Sequence, residues 1–139
     1  MKKETIFILI FMSLFNLSTI AQTCKPNIIG AWRCVRSVHG GVKEKVEDVV
    51  FIKYITKTSF TWVSSSKETQ IVRSAMGGTC SYDGKIYVEN IAFIGPGMTR
   101  FLNKKHTFNV DITGSKMHLY GTMSDKVYID EIWVRVDRE

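Results

Sequence analysis

The sequence predicts an all-β chain that closes into a single antiparallel, up-and-down β-barrel of about eight strands. Three observations carry this. Branched and aromatic residues alternate with polar ones from residue 29 to the end, the period of a half-buried strand. Glycine, proline and Ser/Asp pairs fall between those runs rather than inside them. No stretch carries a sustained helical period. An all-β domain must stack two sheets or close one on itself, and tight turns between sequential strands favour closure. A two-sheet sandwich is the alternative, although the tryptophans and cysteines lack immunoglobulin spacing.

The elements follow in order. Lys2 and Lys3, the apolar run 6–15 and the small residues of Thr19-Ile20-Ala21 before Gln22 form the three parts of an export leader. The expected division is a signal peptide over 1–21 and a barrel domain over 22–139, placed in the periplasm or outside the cell. The apolar run is too short for a convincing membrane span, and no later segment supplies one. Lipid anchoring through Cys24 is less favoured, because bulky Gln22 sits inside Ala21-Gln22-Thr23-Cys24.

Strands are expected at 29–38, with Trp32, Cys34 and Arg36 on one face, and at 46–56. The next, 59–64, puts Phe60 and Trp62 on one face and Thr61 and Val63 on the other. Ser64-Ser65-Ser66 reads as a polar turn. Strand 69–75 follows, then a break or bulge at Gly77-Gly78 and a short strand 79–82. Asp83-Gly84 is a two-residue hairpin signal leading into 85–94. Gly95-Pro96-Gly97 opens the longest connection, to about Lys104, with apolar side chains able to cover a cavity or plug the core end. Strands 106–113, 116–123 and 126–136 complete the chain.

The chain carries 19 basic and 13 acidic side chains, a formal net charge of +6. The positive residues, Lys43, Lys45, Lys53, Lys57, Lys104, Lys105, Arg135 and Arg138 among them, are scattered. That is a solvated surface and not the clustered stripe of a nucleic-acid site. Three cysteines, Cys24, Cys34 and Cys80, are an odd count, so at least one thiol stays unpaired or pairs between molecules. Cys24 can reach either partner, and the reading leans towards three reduced thiols. There is no Cys-x-x-Cys pair, Gly-x-Ser-x-Gly elbow or phosphate-cradling glycine loop. His39, His106 and His118 read as exposed or hydrogen-bonded, and neither metal nor cofactor is expected.

Asn27-Ile28-Ile29-Gly30-Ala31-Trp32 places a Gly-x-Trp at the start of the first strand, and Glu131-Ile132-Trp133-Val134-Arg135 places an arginine in the last. That pairing resembles lipocalins, in which a late basic residue packs over the early tryptophan. Together with Phe60-Thr61-Trp62, Gly77-Gly78-Thr79 and Tyr87-Val88-Glu89-Asn90-Ile91, the sequence resembles small exported lipocalin-like domains of Bacteroides-type bacteria. The family usually has a tyrosine where Cys80 stands. The resemblance implies an architecture and carries no chemistry. Independently of it, a guanidinium over an indole gains roughly 0.5–2 kcal/mol and would tie the first strand to the last.

Phe60 with Trp62, Tyr87 with Glu89, Ile91 and Phe93, and Glu131 with Trp133 each share a strand face. Carboxylates among aromatics are costly unless something pairs with them. They are either satisfied by tyrosine hydroxyls, Arg73, Arg135 or backbone donors, or they fix the polar end of a ligand. The leading expectation is non-enzymatic binding of a small apolar or amphipathic molecule by Phe60, Trp62, Tyr87, Glu89, Glu131 and Trp133. A protein-interaction or inhibitor module with a filled core is the alternative. A small hydrolase-like enzyme would need two titratable groups converging in a cleft.

Overall fold

The computed structural model describes residues 22–136, so the expected leader lies outside the described residues. The strands are β1 (Gly30–His39), β2 (Val42–Lys43), β3 (Val49–Ile55), β4 (Ser59–Ser66), β5 (Val72–Tyr82), β6 (Ile86–Ile94), β7 (Lys105–Thr113), β8 (Lys116–Thr122) and β9 (Tyr128–Arg135). Each pairs antiparallel with its sequence neighbour from β3 to β9; β1 pairs with β3, and β9 returns to β1. The result is a closed, up-and-down barrel of eight strands, the lipocalin-like architecture. The two-residue β2 only extends the β1 hairpin. Closure leaves no long free edge to be blunted.

The expected turn at Asp83 is present. Its carboxylate accepts the backbone N–H groups of Lys85 and Ile86 at 2.8 and 2.7 Å, which fixes the β5–β6 register. Three expectations change. The bulge expected at Gly77-Gly78 is present, with one extra residue, Ala92, on β6, but there is no break, so the two expected strands 69–75 and 79–82 are one strand, β5. Past that bulge the inward set changes phase, so Phe93 points out and is 49% exposed, unlike Tyr87, Glu89 and Ile91. Gly77 is required beneath it, since a Cβ there would run into the Phe93 ring and the Phe60 carbonyl. A second bulge between Cys34 and Arg36 does the same in β1. Trp32 and Cys34 face in, but Arg36 turns out to meet Asp130 at 3.3 Å, and Ser37 takes the inward place. Finally, Ser64-Ser65-Ser66 is no turn: β4 continues its alternation, burying Ser64 and Ser66.

One barrel end is plugged by the segment that precedes β1. A 3-10 turn at Pro26–Ile28 drops Ile28, fully buried, into the opening. The buried Trp32 indole donates to the Ile28 carbonyl at 2.8 Å. Arg135 lies 4.2 Å over the Trp32 ring and donates to the carbonyls of Ile29 and Asn27, both at 2.8 Å. The expected tryptophan–arginine clasp therefore ties β1, β9 and the plug together. Gly30 sits beneath it with φ 141°, where a side chain would strike the guanidinium. Above this end the barrel is filled by Trp32, Phe60, Tyr87, Phe108, Val110, Met117, Leu119 and Trp133.

Candidate functional site

The opposite end of the barrel is not filled. A cavity of about 310 Å3 opens there, at the small end of the range for ligand sites. Its apolar wall comes from inward positions of neighbouring strands: Phe51 on β3, Trp62 on β4, Met76 on β5 and Phe108 on β7, with Ile129 on β9. Phe51 and Trp62 stack at 5.7 Å between centroids. Strand alternation puts these residues in phase, and the rings form one continuous apolar surface.

The floor is an ion pair. Lys53 Nζ lies 2.7 Å from Glu89 Oε1, and the two side chains are only 5% and 2% exposed. Four rings surround the ammonium: Trp133 at 5.3 Å, Tyr87 at 5.5 Å, Phe108 at 5.9 Å and Phe60 at 6.0 Å. A desolvated cation gains most from such faces. This is what permits a lysine and a glutamate in the middle of an aromatic core.

Above the floor stand two further polar clusters. Glu131 accepts the Trp133 indole N–H at 2.9 Å, Ser37 Oγ at 3.3 Å and His39 Nε2 at 3.1 Å. The hydrogen bond to that carboxylate raises the His39 pKa above its ordinary value, against the opposing effect of burial. His106 is 1% exposed and belongs to the cavity lining; its Nε2 meets Ser124 Oγ at 3.0 Å, while the buried Nδ1 has no partner. Burial lowers the His106 pKa, which keeps the ring neutral near pH 7. The buried Tyr87 hydroxyl is likewise unpartnered, and burial holds its pKa well above the usual value.

The long connection after β6 forms the cover. Its 3-10 turn, Thr99–Phe101, buries Phe101 against His106, edge to face at 5.1 Å. Arg100 lies over the same ring at 4.3 Å and is tied to Asp125 at 3.0 Å and to the Gly97 carbonyl at 3.1 Å. The apolar residues of this loop thus act as both plug and cover: Phe101 seals, while Met98 faces the cavity. Leu102 remains outside, 40% exposed.

Of the sequence-predicted site residues, Trp62, Glu89 and Glu131 line the cavity. Phe60, Tyr87 and Trp133 lie beneath its surface, at 2%, 0% and 0% exposure, as the cage around Lys53. Three of the six therefore line the open end and three belong to the packed core below it. Sequence reasoning missed Lys53, read as one of the scattered surface charges. Its signal was the β3 alternation Val49, Phe51, Lys53, Ile55, which puts it in phase with core residues. It also missed Ser64 and the unpartnered His106. His118 faces out to Asp130 at 3.3 Å, leaving His39 and His106 in the cavity lining, and among the described residues no group of three His, Cys, Asp or Glu could hold a metal ion.

No family model and no curated protein matches the chain. Among solved structures, the chain is similar to an uncharacterised protein from Bacteroides eggerthii. The likeness has 15% identity over 78% of this chain and 98% of that one, with a TM-score of 0.55. It shows the shared fold. A mutant of the fluorescent protein UnaG aligns with 13% identity over 81% of this chain and 98% of that one, at a TM-score of 0.45. No helix among the described residues is long and apolar enough to cross a membrane.

Proposed function

We propose that this barrel binds one small apolar or amphipathic molecule in its open end and catalyses no reaction on it. The observation that carries this is the cavity itself: an aromatic and thioether wall open at one barrel end, with His106 in its lining. Apolar surface on Phe51, Trp62, Met76 and Met98 supplies the affinity, and the polar clusters set orientation. The three cavity carboxylates are already engaged, Glu89 by Lys53, Glu131 by three donors and Glu44 by His39 Nδ1 at 3.8 Å, which favours anchoring over acid–base work. The leader-like pattern of residues 1–21, a positive end, an apolar run and small residues before Gln22, supports the accompanying reading that binding takes place in the periplasm or outside the cell.

The test is titration of the folded protein with an apolar fluorescent probe, followed by competition with fatty acids, sterols and small aromatics. Saturable, near one-to-one binding at micromolar levels is expected. Trp62→Ala should weaken it about tenfold, as loss of a large apolar contact does. Absence of saturable binding across all three ligand classes would transfer the function to the outer surface of a protein-interaction module.

A further inference from the structure

We propose that Cys24 and Cys80 form a disulfide in the exported protein and lock the plug onto the barrel. The proposal is independent of what the cavity holds. The two Sγ atoms lie 3.0 Å apart, and both residues are 3% exposed. Neither position is accidental. Cys24 N–H donates to the Lys57 carbonyl at 2.7 Å, and Cys80 N–H donates to the Thr58 carbonyl at 2.9 Å. Lys25 N–H donates to the Tyr82 carbonyl at 3.0 Å, and Cys24 bridges to Tyr82 in parallel. The backbones are therefore fixed on both sides of the sulfur pair. Cys34 is elsewhere in the core, its thiol donating to the Arg36 carbonyl at 3.2 Å, so the odd cysteine is the one left free.

The oxidant is a dithiol–disulfide exchange protein or a low-molecular-weight disulfide, as oxidising compartments supply. Cys80, held in β5 while the segment that carries Cys24 is lifted from the barrel, is the first nucleophile. Its thiolate attacks the oxidant S–S bond, forming a mixed disulfide and expelling one oxidant thiolate. Cys24, losing its proton, then attacks Cys80 Sγ and expels the second. Two cysteines are oxidised, one oxidant disulfide is reduced to two thiols, and the two cysteine protons end on those thiols. Burial of both sulfurs places this step during folding or while the plug is lifted. Cys24 joined to Cys80 cannot also carry a lipid thioether, so the bridge opposes surface anchoring.

The experiment is peptide mapping of the mature protein from its exported fraction, alkylated in denaturant without reductant. The expected result is a Cys24–Cys80 linked peptide and a single labelled thiol at Cys34. Three labelled thiols, a different linkage or a lipidated Cys24 each overturns the proposal. A second measurement uses Cys24→Ser and Cys80→Ser. The bridge closes a loop across 56 residues of sequence separation, so each variant should melt about 10 °C below the oxidised protein. Both should be insensitive to reductant, whereas the wild type should fall to their level when reduced. Variants melting within about 2 °C of the unreduced wild type also overturn it.

Discussion

Replacing Lys53 with Met leaves Glu89 as a carboxylate in an aromatic core with no cation. The size of the effect follows from the geometry. At 2.7 Å and an effective dielectric constant of about 20, the pair attracts by roughly 6 kcal/mol before desolvation is charged against it. Most of that is offset by the cost of taking two ions out of water, so the intact pair contributes little net. Breaking it is different, because one desolvated charge then has no partner. Lys53→Met should cost about 3–5 kcal/mol, a fall in melting temperature of about 10–20 °C. Glu89→Gln should cost less, since its amide oxygen still accepts from Lys53 and the four rings still face the ammonium. The double variant Lys53→Met with Glu89→Met restores a matched, apolar floor and should recover most of the loss. Urea unfolding of the wild type, Lys53→Met, Glu89→Met and the double variant gives the coupling energy as a double-mutant cycle. About 2 kcal/mol or more is expected. A cost below about 1 kcal/mol for Lys53→Met would be the value of an exposed lysine and would refute the buried floor.

Trp32→Ala should destabilise by about 3–5 kcal/mol, because it removes a fully buried indole and the face on which Arg135 rests; a melt unchanged to within half a kcal/mol contradicts the clasp. The two cavity histidines should give opposite pH signatures in stability measured against His→Gln variants. The raised His39 pKa means its contribution is full below the unfolded value of about 6.5 and is lost as pH rises through the folded value. The lowered His106 pKa means its contribution is full above about 6.5 and is lost as pH falls towards the folded value. Signs that match between the two would show that Glu131 does not hold His39 or that His106 is not buried. Phe101→Ala should open the cover, raising the ligand off-rate more than it changes barrel stability; equal effects on both would make Phe101 a core residue only.

The strand pattern and the Asp83 hairpin were legible because each is a local rule, alternation and turn chemistry, whereas the Trp32–Arg135 clasp came from the resemblance to lipocalins. Arg36 and Phe93 were misplaced for one shared reason. A bulge adds one residue, which reverses every later side chain of that strand, and the extra residue carries no signature in the sequence. Ser64 and Ser66 were read as a turn because polar composition outweighed the period that Phe60 and Trp62 had already set. Glu89 and Glu131 were found as anomalies on aromatic faces, yet their partners were not. Lys53, Ser37 and His39 come from strands remote in sequence, and pairing across a closed barrel depends on register. The layering of the site was hidden for the same reason: alternation says which residues face inward, not how deep each sits along the barrel axis.

The central claim is that the open barrel end takes up a ligand. Amide and side-chain NMR of the folded protein during titration with a small amphipathic probe tests it most directly. The account predicts saturable shifts at Trp62 Nε1–H, at the Met76 and Met98 methyl groups and at the His106 ring, with the plug around Ile28 and Trp32 unmoved. Shifts confined to outward residues such as Tyr54, Phe93 and Tyr128, or no saturation at all, would contradict it.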